Sequence, residues 1–106
     1  MNDQSTLLAA LTDPTRRAML DLLRGGERSV GELARDLPVS RPAVSQHLRL
    51  LKDAGLVAER RAGTRHFFRI DPAGLGALRA YLDGLWTDAL AAFARQVESR
   101  GEDGHD

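Results

Sequence analysis

The chain has 106 residues, of which 42% are hydrophobic and 28% charged, and this composition is typical of one globular domain with a modest core. It contains no cysteine, which excludes disulfides, thiolate metal ligands and thiol-based redox sensing. The sequence shows neither a run of about 18 apolar residues nor a basic-then-apolar leader, so we expect a cytoplasmic protein.

The formal net charge is zero, but the charges are unevenly distributed along the chain. Residues 27–70 carry nine Lys or Arg against five acids, a balance of +4, whereas residues 71–106 carry three Arg against seven acids, a balance of −4. Residues 1–26 are balanced at three against three. This asymmetry is typical of a protein in which one side faces DNA and the other side faces away from it.

The first 26 residues predict two short helices. Three leucines at three- and four-residue spacing favour the first helix: Leu7, Leu8 and Leu11. The second begins near Pro14, whose missing N–H suits the first helical turn, and either Asp13 or Thr12 can cap it. It ends at Gly25 and Gly26.

The next segment predicts a helix-turn-helix. Ser29 and Glu32 fit a capping box, in which each side chain accepts a hydrogen bond from the backbone N–H of the other residue. Pro38 ends this third helix, and Ser40 can cap a fourth, which closes at Gly55. Two helices that each open with a serine, about three residues apart, are the pattern of helix-turn-helix proteins.

The fourth helix has an apolar and a polar face. The apolar face contains three residues at helical spacing: Val44, Leu48 and Leu51. The polar side contains four others: Arg41, Ser45, Gln46 and Arg49. Such a helix can enter a DNA major groove. Taken alone, the pattern favours an ordinary amphipathic surface helix. The neighbouring elements of the chain therefore determine whether a DNA-reading helix is the better interpretation.

Two strand-like segments, 56–61 and 65–70, follow this helix. Residues 62–64 (Ala-Gly-Thr) join them, which predicts a β-hairpin. Its tip is flanked by Arg60, Arg61 and Arg65. A cationic tip suits a wing that contacts the phosphate backbone, and a solvated surface hairpin is the alternative.

A long amphipathic helix is predicted after the hairpin. It begins at Asp71 and Pro72, and its apolar steps of three and four continue to Val97. A helix of about 25 residues spans about 37 Å, which is more than a domain of this size needs for itself. We therefore expect dimerisation through the end helices. The predicted dimer residues are Leu7, Leu8, Leu11, Leu78, Leu82, Leu85, Trp86, Leu90 and Phe93.

The predicted fold class is mainly α with a small β-hairpin, in the order α-α-α-α-β-β-α. This is a winged helix-turn-helix that dimerises through its N- and C-terminal helices. We expect one DNA-binding and dimerisation domain over residues 1–100. Residues 101–106 are expected to form a disordered acidic tail.

The residues resemble the ArsR family of bacterial transcriptional regulators. Residues 11–20 (LTDPTRRAML) are similar to the L-A-D-P-T-R-R-x-I-L opening of that family. Further similarity in register covers residues 30–34, 40–48 and 51–57. The resemblance extends over roughly residues 7–98 and implies a cytoplasmic homodimer that binds an inverted-repeat operator in double-stranded DNA. Many members repress transcription and some activate it.

Metal sensing is the best-known activity of this family, and the resemblance does not extend to it. Members that sense soft metals carry cysteines, and zinc-sensing members carry histidine on the last helix. Residues 72–100 contain no histidine, and the histidines at positions 47, 66 and 105 are scattered. We expect no metal and no cofactor, as in the cysteine-free, non-metal-sensing members seen in actinobacteria.

The candidate DNA contacts fall into three groups. Candidate base contacts are Ser45, Gln46 and Arg49, with Arg41 shared between base and phosphate. Candidate phosphate contacts are Ser29, Ser40 and Lys52. The candidate wing contacts are Arg60, Arg61, Gly63, Thr64 and Arg65. For each arginine the alternative is a solvated surface cation.

The sequence leaves other functions as alternatives to a DNA-binding regulator. An enzyme is not expected, because no nucleophile–base pair, carboxylate dyad or phosphate-binding glycine loop is visible. A winged-helix protein-interaction module, bound to its partner through the apolar end helices, is the stronger rival. The region around Trp86 and Phe93 also allows a regulator with a small-molecule pocket at the dimer helices.

Overall fold

The computed structural model describes residues 4–103 and contains five helices and three strands within that range. The elements are α1 (Gln4–Ala10), α2 (Pro14–Leu23), β1 (Arg28–Ser29), α3 (Val30–Arg35), α4 (Arg41–Asp53), β2 (Val57–Ala62), β3 (Arg65–Ile70) and α5 (Pro72–Asp103). The predicted fold class is confirmed. The sequence did not predict β1, which is only two residues long.

Arginine side chains at the start of α2 hold the end of α1. Arg16 Nε donates to the Ala10 carbonyl at 2.7 Å, and Arg17 Nη1 donates to the Leu11 carbonyl at 2.6 Å. These bonds satisfy carbonyls that a helix end leaves without partners. Of the two residues predicted to cap α2, Asp13 occupies the N-cap position, but its side chain makes no capping hydrogen bond.

The predicted caps of the helix-turn-helix are confirmed. The Glu32 amide donates to Ser29 Oγ at 3.1 Å, and the Ser29 amide donates to Glu32 Oε1 at 2.9 Å, which completes the capping box of α3. Ser40 Oγ accepts the amide of Ala43 at 3.3 Å at the start of α4. Gly55 follows α4 with a φ of 84°, in the left-handed region.

The three strands form an antiparallel sheet in the order β1-β3-β2. The turn between β2 and β3 is shorter than predicted, because Ala62 pairs with Arg65 and only Gly63 and Thr64 lie between the strands. Gly63 has a φ of 62° and Thr64 does not have a positive φ, the pattern of a type II′ turn.

The core lies between α1–α4, the sheet and the first turns of α5. Its buried side chains are Leu7, Ala10, Met19, Leu23, Leu33, Val44, Leu48, Leu51, Ala54, Leu56, Val57, Phe68 and Leu78. The three predicted apolar residues of α4 are all among the fully buried ones. Burial of α4 on this face fixes which of its residues point outward.

Helix α5 begins in close contact with the end of α4. The Asp71 amide donates to the Leu56 carbonyl at 2.9 Å, and Asp71 Oδ1 accepts the amide of Ala73. A Cβ atom at Gly74 would lie 1.9 Å from the Gly55 carbonyl oxygen, so only glycine fits there. The predicted start of the helix at Asp71 and Pro72 is confirmed.

The rest of α5 projects away from the core. Its 32 residues span about 48 Å at 1.5 Å per residue. The molecule measures 73 × 26 × 22 Å, and its radius of gyration is 19.8 Å. A compact chain of this length has a radius of about 13 Å, so the helix makes the protomer elongated. No helix in the described part of the chain is long and apolar enough to cross a membrane.

The helix also passes the predicted domain boundary at residue 100. Gly101 does not adopt a positive φ, and α5 runs through it to Asp103. The first three residues of the predicted disordered tail are therefore helical. Residues 104–106 lie outside the described residues.

Candidate nucleic-acid interface

The outward face of α4 carries the predicted base contacts. Ser45, Gln46 and Arg49 are exposed. Val44, Leu48 and Leu51, on the other side of the helix, are completely buried. Because these apolar side chains hold α4 against the core, the polar side chains are presented on a fixed surface.

An open cleft of about 900 Å³ lies between α3, α4 and the hairpin, and we call it the cationic cleft. Its lining residues are Ser29, Val30, Gly31, Glu32, Arg35, Arg41, Ser45, Arg49, Lys52, Glu59, Arg61, Thr64, Arg65, His66 and Phe68. Six of these are Lys or Arg, against two acids. Such a surface attracts a phosphate backbone.

The cleft brings together most of the predicted DNA contacts. Eight of them line it: Ser29, Arg41, Ser45, Arg49, Lys52, Arg61, Thr64 and Arg65. Ser40, Gln46, Arg60 and Gly63 are not among its lining residues. Ser40 and Gln46 lie at the start and on the outer face of α4, and Gly63 forms the hairpin turn.

Sequence reasoning missed two cleft residues that can contact DNA, Arg35 and His66. Arg35 is an exposed residue in the last turn of α3, and His66 lies beside the hairpin tip on β3. The net positive charge of residues 27–70 was the only available signal for Arg35. His66 could not be found, because its position depends on the register of the hairpin.

Arg41 begins α4 and reaches the start of α3. A Cβ atom at Gly31 would lie 4.0 Å from the guanidinium carbon of Arg41, which places this cation over the first turn of α3. Ser29 is buried, and its hydroxyl already accepts the Glu32 amide. The Ser29 hydroxyl can still donate to a phosphate, because a hydroxyl is both donor and acceptor.

Unlike Arg65, whose guanidinium also lies over the Phe67 ring but which lines the cationic cleft, Arg60 lies on the face of the sheet opposite Arg61 and outside the cleft. It pairs with Phe67 across the strands, and its guanidinium lies 4.6 Å from the centre of that ring. Its Nη2 and Nε donate to the Glu27 carboxylate at 2.7 and 3.0 Å. This ion pair raises the pKa of Arg60 and lowers the pKa of Glu27. The structure therefore separates Arg60 from the cationic cleft.

Glu59 is a carboxylate inside the cationic cleft. Its Oε1 accepts a hydrogen bond from Lys52 Nζ at 2.8 Å, and its Oε2 lies 2.5 Å from His66 Nδ1. Arg61 Nε is 3.8 Å away. The hydrogen bond from Lys52, followed by the one from His66, lowers the pKa of Glu59 from 4.5 to about 2. Glu59 is therefore ionised at neutral pH.

The histidine of α4 faces inward rather than toward DNA. His47 Nδ1 lies 3.3 Å from Asp13 Oδ2 and 3.4 Å from Arg16 Nη1. The Asp13 carboxylate, which does not cap α2, instead lies between these two side chains. The contact joins α4 to α2, and through Arg16 to the end of α1.

Among the side chains that the structure describes, those of residues 4–101, no group of three or more His, Asp or Glu is placed to hold a metal ion. His47 and His66 each lie beside a single carboxylate. His105 lies outside the described residues. Independence from metals remains a prediction.

The predicted dimer residues divide into two sets. Leu7 and Leu78 are buried where α1 crosses α5, and Leu11 is partly buried against the same core. The prediction that Leu7 and Leu78 contact a second copy is therefore wrong, because both side chains are buried within one protomer. The exposed set contains Leu8, Leu82, Leu85, Trp86, Leu90 and Phe93, to which the structure adds Leu75, Tyr81 and Val97.

A capped helix pair, a basic outward helix face and an adjoining cationic hairpin define the molecule as a winged helix-turn-helix DNA-binding protein. The family model described as "Bacterial regulatory protein, arsR family" matches residues 13–59. Together with a relative that is 58% identical over 89% of the chain, this match shows that the chain belongs to the arsR family and is a transcriptional regulator.

Two relatives and one solved structure show how far the similarity extends. The chain is 58% identical to the HTH-type transcriptional regulator Rv2034 of Mycobacterium tuberculosis over 89% of this chain and 88% of that protein. It is 36% identical to the transcriptional repressor SdpR of Bacillus subtilis over 63% of this chain and 74% of that protein. An ArsR-like transcriptional regulator from Rhodococcus sp. RHA1 superposes with a TM-score of 0.75, at 35% identity over 90% of each chain.

Proposed function

We propose that this regulator binds an inverted-repeat DNA operator as a homodimer and represses transcription by occupying it. The observation that carries the proposal is the outward face of α4, which presents Ser45, Gln46 and Arg49 beside the cationic cleft. Glutamine can bind adenine and arginine can bind guanine through two hydrogen bonds each. The similarity to a named repressor favours repression.

The proposed phosphate contacts come from the walls of the cationic cleft. They are Ser29, Arg35, Arg41, Lys52, Arg61, Thr64, Arg65 and His66, with Ser40 at the start of α4. Arg60 is not included, since Glu27 neutralises it on the other face of the sheet. The protein acts in the cytoplasm by binding rather than catalysis, and it needs no metal or cofactor.

The proposed dimer forms through the exposed apolar side chains of α5. Trp86 is 67% exposed and Phe93 is 64% exposed, and both lie in the part of α5 that projects beyond the core. A second copy would cover this face. A two-fold axis would then place two α4 helices in successive major grooves about 34 Å apart, which matches an inverted repeat.

The double variant Gln46→Ala, Arg49→Ala tests the base contacts. A duplex enriched from a random pool by the wild-type protein is compared with a scrambled duplex of the same length and composition. We expect the double variant to lose at least about 30-fold in affinity for the enriched duplex and little for the scrambled one, because two base contacts of about 1–3 kcal/mol each are lost in every protomer. Gel shifts at several salt concentrations measure both.

Arg24→Ala is a suitable control, because Arg24 is an exposed cation at the end of α2, away from the cationic cleft. Wild-type discrimination by the double variant would contradict the proposed base contacts. If the wild-type protein bound all duplexes weakly and equally, the protein-interaction module would replace the regulator of a specific operator.

A further inference from the structure

A carboxylate inside a DNA-binding cleft is unexpected, because it repels the phosphates that the cleft attracts. Two of the described residues that line the cationic cleft are acidic, Glu32 and Glu59. The carboxylate of Glu32 accepts the Ser29 amide and belongs to the capping box of α3. Glu59 has no such role in a helix cap, so its presence in the cleft needs another explanation.

The contacts of Glu59 connect the recognition helix to both strands of the wing. Lys52 is in the last turn of α4, Glu59 is on β2 and His66 is on β3. The Lys52 hydrogen bond to Glu59 is therefore a direct link between the helix and the hairpin. His66 contacts the second carboxylate oxygen. One side chain thus restrains the position of the wing relative to α4.

The Glu59 carboxylate is less exposed to solvent than the cations around it. The side chain of Glu59 is 13% exposed, whereas those of Lys52 and Arg61 are 50% and 71% exposed. Its strand partner Phe68 is buried and fixes this part of β2 against the core. In the absence of DNA, the Lys52 ammonium is consequently neutralised by a largely buried carboxylate. An incoming phosphate has to compete with Glu59 for Lys52.

We propose that Glu59 is a positioning residue that raises DNA specificity by occupying Lys52 and fixing the wing against α4. This inference rests on the proposed function. Phosphate contacts supply nearly all of the binding to non-specific DNA, so a neutralised Lys52 weakens that binding. A duplex held in register by the base contacts of α4 also depends on the fixed position of the wing, so in that complex the cost of releasing Lys52 is offset by the wing contacts that Glu59 keeps in place. Specificity is the difference between the affinities for specific and non-specific DNA, so weakening the complex with non-specific DNA increases specificity.

The variant Glu59→Gln tests the proposal on the enriched and the scrambled duplex, with affinity measured by fluorescence anisotropy over a salt series. We expect scrambled DNA to bind about fivefold or more tightly, with a salt slope steeper by about one per protomer, because Lys52 becomes available to a phosphate. The affinity for the enriched duplex should change by less than about twofold, because the gain from the freed Lys52 is offset by the loss of the fixed wing, so the specificity ratio falls.

Glu27→Gln is the matched control, because it removes the same charge from the opposite face of the sheet, outside the cleft. It should leave the specificity ratio unchanged. The same Glu59→Gln change in a Lys52→Ala background should lose most of its effect on scrambled DNA, because the proposed effect acts through Lys52. The proposal would be overturned if Glu59→Gln raised the affinity for scrambled DNA equally with Lys52 present and with Lys52→Ala. It would also be overturned if Glu59→Gln and Glu27→Gln raised that affinity equally.

The remaining outcomes are also decisive. Equal changes for both duplexes, or no change for either, would refute the role of Glu59 while leaving the proposed function intact. If the wild-type protein enriched no duplex, the proposed function itself would fail. If Glu59→Gln did not fold, Glu59→Asp would replace it, because it withdraws the carboxylate from Lys52 by one methylene. An undiminished specificity ratio for folded Glu59→Asp would then overturn the proposal.

Discussion

At the scale of single residues, ion pairs and hydrogen bonds join elements that lie far apart in the chain. Arg16 connects the end of α1 to His47 on α4, at a separation of 31 residues from that histidine. Lys52 and Glu59 connect α4 to the hairpin. Most ion pairs at exposed positions contribute little to stability. Glu59 is different because its side chain is mostly buried and has two close partners, so we expect a measurable contribution.

The lowered pKa of Glu59 predicts a pH-dependent stability. The carboxylate titrates near 4.5 in the unfolded chain and at about 2 in the folded one, so its contribution is complete above pH 4.5. The contribution is lost as the pH falls from 4.5 towards 2. The free energy of unfolding should therefore differ most between the wild-type protein and Glu59→Gln above pH 4.5, and the difference should shrink in acid.

Urea unfolding followed by circular dichroism at a series of pH values measures this difference. The linear dependence on urea gives the free energy of unfolding at each pH. A difference between the two proteins that stayed constant down to the pKa of folded Glu59 would contradict the assigned hydrogen bonds.

Gly74 predicts a second effect at the residue scale. Gly74→Ala places a Cβ atom 1.9 Å from the Gly55 carbonyl oxygen, so the backbone has to move. We expect a loss of about 1–3 kcal/mol in the free energy of unfolding, as for other overpacked sites. Gly84→Ala is the matched control, because nothing lies within 4 Å of its Cβ position on the same helix. It should gain about 0.5–1 kcal/mol. Thermal unfolding of both variants compares them, and equal effects would contradict the close packing of α5 on α4.

At the scale of elements, the register of the hairpin decides which cations can reach DNA. Arg61 pairs with His66 and lines the cationic cleft, whereas Arg60 pairs with Phe67 on the other face. Neighbouring residues on a strand point to opposite faces. The short strand β1 pairs with β3 and so connects the hairpin to the start of α3. Together with the Lys52–Glu59 contact, this pairing fixes the wing beside α4.

Arg60 and Arg61 therefore provide a matched pair of variants for the wing. Arg61→Ala should weaken binding to all duplexes and reduce the salt slope by about one per protomer, because one phosphate contact is lost. Arg60→Ala should change neither quantity, since its charge is already neutralised by Glu27. Anisotropy titrations over a salt series measure both variants. A larger effect from Arg60→Ala would show that DNA contacts the other face of the sheet.

At the scale of the whole molecule, α5 determines the shape of the protomer. It extends the molecule to 73 Å and leaves large apolar side chains exposed along its length. These side chains are not needed to fold the helix-turn-helix, whose core is complete in one chain. The helix is therefore available to join two protomers, and in the proposed dimer it would set the distance between the two copies of α4.

The variant Leu90→Glu, Phe93→Glu tests the dimer. We expect a monomer with a folded DNA-binding core, because both side chains are exposed and outside that core. Sedimentation equilibrium measures the mass, and operator affinity should fall because a monomer binds only one half-site. The control is Arg95→Glu, which changes an exposed side chain between Phe93 and Val97 but not an apolar one. Unchanged mass for the double variant would remove this face from the dimer.

A dimer also predicts that the melting temperature of the wild-type protein rises with its concentration, since association stabilises the folded state by mass action. The Leu90→Glu, Phe93→Glu variant should melt at a temperature that does not depend on concentration. Scanning calorimetry over a range of concentrations provides the measurement. A wild-type melting temperature independent of concentration would contradict association through α5.

The sequence by itself determined the features that depend on local chemistry. The caps at Ser29 and Ser40, the left-handed Gly55 and the buried face of α4 all follow from short-range hydrogen bonding and helical periodicity. For the same reason the order of helices and hairpin was predicted, and with it most of the candidate interface. Two-residue β1 was not predicted, because so short a strand forms only by pairing with β3.

The tertiary structure decided the features that depend on distant contacts. Leu78 and Leu82 belong to the same apolar pattern, yet only Leu78 is buried, because α1 crosses α5 there. Glu59 had no predicted role, and its place beside Lys52 follows from the packing of the hairpin on α4. Local sequence specifies which face of an element is apolar, but burial and ion pairing require a partner supplied from elsewhere in the fold.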